Sequence, residues 1–189
     1  MGTLGPNSPL TFADDSTVGT IAIANPSNAG ASDDVYATIV MLLAQVGHYL
    51  KATNFQFAIP GDASIDGILV EIERSATVGV AIVDSSVKIV KGGTIGGTEK
   101  ASGSSWPTSD AYASYGSATD LWGQTWTPAD INLSTFGVAI AATASLIAGT
   151  ARIDHVRITV SYTGSNRGQA MASNRRINAG GMGQSEFVS

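Results

Sequence analysis

No cysteine occurs among the 189 residues, which removes disulfide frameworks, thiolate nucleophiles and thiolate-ligated metals from consideration. Charged residues make up 13% and aromatic residues 7%, and no run of eighteen apolar residues exists, so no membrane-spanning helix is expected. Histidine is limited to His48 and His155, too few for an imidazole-rich metal centre. Strong helical periodicity is also missing, and a helix bundle is disfavoured for that reason. The opening Met-Gly-Thr-Leu-Gly-Pro-Asn-Ser-Pro has neither the basic nor the apolar region of a secretory leader, so a soluble product made in the cytoplasm is expected.

What remains is glycine, at 22 residues, together with β-branched and small polar side chains, a balance suited to short strands joined by turns. Ile65–Arg74 carries the clearest pattern. Ile68, Val70 and Ile72 alternate with Leu69, Glu71 and Glu73, as on a strand buried on one face. The same grammar returns at 153–160, where Val156, Ile158 and Val160 form the apolar row after a second Ile-Asp. Phe136, Val138 and Ile140 make a third row, opposite the small residues Gly137, Ala139 and Ala141. These patterns predict an all-β chain, a single jelly-roll-like β-sandwich over residues 12–163 in which the three rows share one core.

Residues 1–11, with their prolines and glycines, read as an N-terminal arm without its own core. Strands are expected at 18–24, at 36–43 with both faces buried, and at 49–59, where Tyr49, Lys51, Thr53, Phe55, Phe57 and Ile59 share a side. The apolar run 78–83 and the alternating 87–91 follow, and Gly92–Thr98 is read as a hairpin connection rather than a phosphate-binding loop, since no Lys follows its last glycine. Thr127-Pro128-Ala129-Asp130 has the cap, the first-turn proline and the acid of a short helix. Residues 164–189 form a C-terminal arm of Gly, Ser, Asn, Gln and Arg that cannot bury itself.

Residues 1–163 hold seven Lys and Arg against fourteen Asp and Glu, whereas the tail holds Arg167, Arg175 and Arg176 against Glu186. An acidic body disfavours nucleic acid as a partner. The tail arginines can grip carboxylates on a partner and Phe187 can plug an apolar socket. Catalytic residues, cofactors and metals are not expected. Asp154 and His155 are strand neighbours pointing to opposite faces, Asp14-Asp15 and Asp33-Asp34 lack the spacing of a calcium loop, and Glu71 and Glu73 read as a solvated face paired with Arg157. Trp106, Trp122 and Trp126 are the one site-like group. They either stack on a sugar or pin a long loop onto the core.

Six stretches carry a resemblance: Tyr49–Phe55, Ile65–Ile68, Val87–Gly93, Asp120–Gly123, Trp126–Asn132 and Asp154–Val156. Over residues 15–163 the chain resembles a β-sandwich domain found in structural proteins of tailed bacteriophages, uncharacterised virion proteins and some bacterial surface proteins. The resemblance implies a non-enzymatic virion component. The form expected is a capsid decoration or cement protein, held to the major capsid protein by its arms and associated as a homotrimer through the small face of Gly137, Ala139 and Ala141. A carbohydrate-binding module, or a tail or neck component, is the alternative.

Overall fold

The computed structural model describes residues 1–79 and 81–164. Ten strands are present among them: β1 (Gly2–Asn7), β2 (Thr11–Asp15), β3 (Ala37–Met41), β4 (Tyr49–Thr53), β5 (Ser64–Ala76), β6 (Ile82–Lys91), β7 (Thr94–Gly96), β8 (Ala111–Gly116), β9 (Gly137–Ala144) and β10 (Gly149–Thr163). They form two antiparallel five-stranded sheets. The first has the order β1-β10-β5-β8, with β3 also paired to β10; the second runs β2-β4-β9-β6-β7. The chain passes from one sheet to the other at most connections, as in a jelly roll, and the two sheets close over one core.

The two Ile-Asp strands, β5 and β10, are neighbours in the first sheet, with Ile72 opposite Val156, Val70 opposite Ile158 and Ile68 opposite Val160. These six meet Phe136, Val138 and Ile140 of β9 across the sandwich, and none of the nine is more than 1% exposed. Glu71 and Arg157 pair on the outer face, Nε and Nη2 each donating to one carboxylate oxygen at 3.0 Å. The short helix α1 (Pro128–Asn132) carries a complete capping box between Thr127 and Asp130. Gly92 and Gly93 form a two-residue hairpin loop between β6 and β7, and their φ values of 57° and 84° explain why glycine stands at both places. Gly137 is required for a different reason. A Cβ there would meet the Ala52 carbonyl oxygen of the adjacent strand β4 at 1.9 Å.

Several expectations are corrected. Residues 2–7 lie along β10, and the stretch of chain around Pro6 occupies an edge position, where a missing N–H is tolerated. The segment 18–24 is not a strand. Gly19, at φ 68°, crosses over the Gly47 backbone, and only single bridges form at Ile21 and Ala24. On β3 only Ala37, Ile39 and Met41 are buried; Val40 is 70% exposed. The alternation of 49–59 changes phase at Asn54 (φ 64°), so Leu50 and Ala52 face the core before it and Phe55, Phe57 and Ile59 after it. The run 78–83 is a turn leading into β6, and Val80 lies outside the described residues. So do Arg167, Arg175, Arg176 and Phe187, with all of the tail from residue 165.

Candidate functional site

Two of the three tryptophans present no ring face to a ligand. Trp106 and Trp122 are 1% and 0% exposed. The Trp122 indole N–H donates to the Ile68 carbonyl at 2.9 Å, and that of Trp106 to Asp84 Oδ1 at 2.8 Å. Trp126 is half-buried, edge-on to Phe136 with ring centroids 5.4 Å apart, and Lys91 Nζ sits 5.2 Å from its centroid. The tryptophans therefore pin the long 97–127 segment onto the core, and a stacking platform built from all three is corrected to a packing role.

The Trp106 contact belongs to a buried polar hub. Asp84 accepts from Arg74 Nη1 at 2.8 Å, from Trp106 Nε1, from the Ser102 amide at 2.8 Å and from the Tyr115 hydroxyl at 3.0 Å. The Arg74 guanidinium lies 4.7 Å from the Trp106 ring centroid. Burial pushes the Asp84 carboxyl up while Arg74, Ser102 and Tyr115 pull it down, and burial together with the Asp84 charge pushes the Tyr115 hydroxyl up. The hub lies between the sheets without a route for substrate, and its role is structural.

A ligand-sized opening exists on the outer face of the second sheet. Strand register places Ala13, Lys51, Ala139 and Lys88 in one row across β2, β4, β9 and β6. The next row is Thr11, Thr53, Gly137 and Val90. Because β9 contributes only Gly and Ala to this face, the surface is low in the middle, and a cleft of about 530 Å³ opens between Thr11, Ala13, Asp15, Lys51, Thr53 and Thr135. A second hollow of about 290 Å³ continues past Thr17, Thr94 and Ile95. Lys51 separates the two. Its ammonium donates to the Gly93 carbonyl at 2.6 Å and lies 3.6 Å from Asp15 Oδ2. Asp15 accepts from both the amide and the hydroxyl of Thr17, and the Thr17 hydroxyl contributes most to holding its carboxyl below the usual range.

One end of this small-residue surface is filled by the chain itself. Tyr49 packs with Ala139, Ala141 and Val90 and reaches over β9 to the Ser86 hydroxyl at 2.6 Å. Close approach at this part of the face from which a trimer was expected is thus made by Tyr49. Ser86 in turn donates to Glu99, which also accepts from the amides of Val87, Lys100 and Ala101. Burial raises the Glu99 carboxyl, but the Ser86 hydroxyl and the three amides outweigh it, and its pKa falls below the ordinary 4.5. With a depressed folded value, its stabilisation is complete above 4.5 and is lost as pH falls through the folded value. The urea midpoint of a Glu99→Gln variant should therefore change less than that of the parent when pH is lowered below 4.5. Identical slopes for the two proteins would contradict this linkage.

The histidines are kept apart. His48 Nδ1 lies 2.9 Å from Asp14 Oδ2 beside the second sheet. His155, on the outer face of the first, lies between Ser8 Oγ at 2.7 Å and the Tyr112 hydroxyl at 2.8 Å, and burial holds its imidazole below the usual range. Sequence reasoning missed the cleft, although its polar row was visible: Lys51 and Thr53 alternate with Leu50 and Ala52 and share a side. Their partners Asp15, Gly93 and Thr135 come from other segments, and only the register gathers them.

No protein-family model matches this chain, and no curated protein matches it. Solved structures do overlap with it. The apo structure of BiXyn10A CBM1 is 11% identical, with 84% of this chain and 96% of that one covered at a TM-score of 0.44. The second N-terminal cellulose-binding domain of Cellulomonas fimi β-1,4-glucanase C is 15% identical, covering 86% and 100% at 0.42. An exo-β-agarase is 12% identical, covering 78% of this chain and 22% of the other at 0.37. At these identities and TM-scores the likeness assigns no function to this chain.

Proposed function

We propose that the chain is a non-catalytic binding module that holds a neutral, hydroxyl-rich ligand, a carbohydrate chain, on the outer face of its second sheet. The observation that carries this reading is the cleft itself. Its floor is Gly137 and Ala139, small enough to let a flat polar ring approach the sheet. Its walls offer the hydroxyls of Thr11, Thr53 and Thr135, the ammonium of Lys51 and the carboxylate of Asp15. Donors and acceptors thus alternate around an open trough, and the Lys51–Asp15 pair leaves little net charge to attract an ionic ligand. Recognition here is by hydrogen bonding, since the tryptophans do not line the cleft.

The test is a glycan array with the full-length chain, repeated with Lys51→Met, which keeps the stem and removes the ammonium. Loss of one charge-assisted hydrogen bond should weaken retention about tenfold or more. Retention of no glycan, or equal retention by the variant, would exclude the cleft as the site.

A second reading, a structural component of a phage particle, is favoured by a different observation. Val40, Leu42 and Leu43 after β3, and Leu146 and Ile147 before β10, are exposed, and backbone hydrogen bonds from Ala44 to Ala144 and from Ala144 to Gln45 tie the two loops together. Such an apolar end suits docking onto a larger assembly. In that reading the partner is the major capsid protein or another virion protein, the chain is a trimer located in the virion, and mass spectrometry of purified particles should find it in a fixed copy number.

A further inference from the structure

On the outer face of the first sheet, away from the cleft, four buried oxygen atoms have no hydrogen-bond partner: Glu73 Oε2, Ser75 Oγ, Asp110 Oδ1 and Asp154 Oδ1. Ser75 and Asp154 are each only 1% exposed. Buried polar atoms in folded proteins are nearly always satisfied, so four in one neighbourhood demand an explanation.

The sheet register brings them together. Glu73 lies opposite Tyr112 on β8 and His155 on β10, and Ser75 lies opposite Arg152 in the next row. Asp110 immediately precedes β8, on the side of Ser75, because Ala111 pairs with Arg74. Asp154 is the extra residue of a bulge, inserted where the register slips between Ile153 and His155. The slip is what allows Asp154 to join the outward-facing Glu73 instead of entering the core beside Ile153. Three acids therefore face one another at close quarters. Burial raises the Asp154 carboxyl, and the charges of Glu73 and Asp110 raise it further.

The segment Gly30–Tyr36 covers this group. Gly30 bridges to His155, the amides of Asp33 and Asp34 donate to Asp154, and the Tyr36 hydroxyl donates to Asp110 Oδ2 at 2.7 Å. The neighbouring cations are engaged elsewhere. Arg157 is bidentate to Glu71, and the Arg152 guanidinium lies 5.4 Å from the Tyr36 ring centroid.

We infer that Asp110, Asp154, Glu73 and Ser75 hold a calcium ion beneath the Gly30–Tyr36 loop. An all-oxygen set of carboxylates and a hydroxyl suits a hard cation, and calcium accepts irregular geometry with water completing its shell. Water is needed, because no three acidic or histidine side chains among the described residues form a full ligand group on their own. The ion supplies the positive charge that the three acids lack and joins β5, β8 and β10 to the covering loop.

The experiment uses the full-length chain stripped with chelator and then titrated with calcium chloride in a calorimeter, alongside thermal unfolding in calcium, magnesium or chelator. One calcium per chain is expected, with Tm raised by about 5 to 10 °C at a hundredfold excess over Kd. Asp110→Asn keeps an acceptor for Tyr36 and should weaken calcium binding at least tenfold. Ser75→Ala removes an oxygen that is otherwise unpartnered, so it should reduce calcium affinity while leaving Tm in chelator unchanged. No binding heat together with equal Tm in calcium and chelator overturns the inference, as does a calcium response that Asp110→Asn leaves intact.

Discussion

Replacing Asp84 with alanine should destabilise the chain by about 3 to 5 kcal/mol, the cost expected when one member of a buried ion pair is removed. The effect is large because four donors lose their acceptor at once. Arg74 is left as a charge whose side chain is 6% exposed, and the Trp106 N–H and the Tyr115 hydroxyl are left in the core beside it. Neither group can turn to water. Arg74 is flanked by the Trp106 ring, and Tyr115 is 4% exposed. Replacing both members of the pair by apolar residues should cost less than Asp84→Ala alone, since no buried charge then remains uncompensated. Urea unfolding of the single and double variants measures this. A single-variant loss under 1 kcal/mol would mean that the hub rearranges or takes in water.

Trp122→Ala is expected to cost about 3 to 5 kcal/mol through lost burial and an unfilled cavity. The ring is fully buried, and its N–H satisfies the Ile68 carbonyl at the centre of the first sheet. The backbone around it is equally committed: Trp122 has φ 57°, and its carbonyl accepts from the Thr98 amide at 2.8 Å. Ligand binding should not change at temperatures where the variant is folded, because Trp122 does not line the cleft. A variant with parental stability and lost glycan retention would return this tryptophan to a stacking role.

The core was legible because strand alternation is local. Ile68, Val70, Ile72, Phe136, Val138, Ile140, Val156, Ile158 and Val160 can be assigned a face by counting in twos, and all nine share the core. The Thr127 cap was legible for the same reason, being contained in four residues. Counting in twos fails where the backbone takes positive φ, and Asn54 moved Phe55, Phe57 and Ile59 to the face opposite that of Tyr49, Lys51 and Thr53. Nor does the pattern say which strands are neighbours. The cleft depends on β2 and β9 flanking β4, and the four unpartnered oxygens depend on β8 and β10 flanking β5 with a bulge at Asp154. The tryptophans were ambiguous on their own, since large apolar area with one donor serves a core and a sugar site equally well. Asp84 decides it for Trp106 and Ile68 for Trp122, and neither partner is a neighbour in sequence.

The central claim is that the outer face of the second sheet is the binding surface. Its most direct test is an amide chemical-shift titration of the isotope-labelled full-length chain with a panel of soluble neutral oligosaccharides. The account predicts saturable shifts at Lys51, Thr53, Gly93, Thr135 and Ala139, with Trp122 and the exposed loops at Leu42 and Leu146 unmoved. Shifts centred on those loops or on the Trp126 region, or no shifts with any member of the panel, would contradict it.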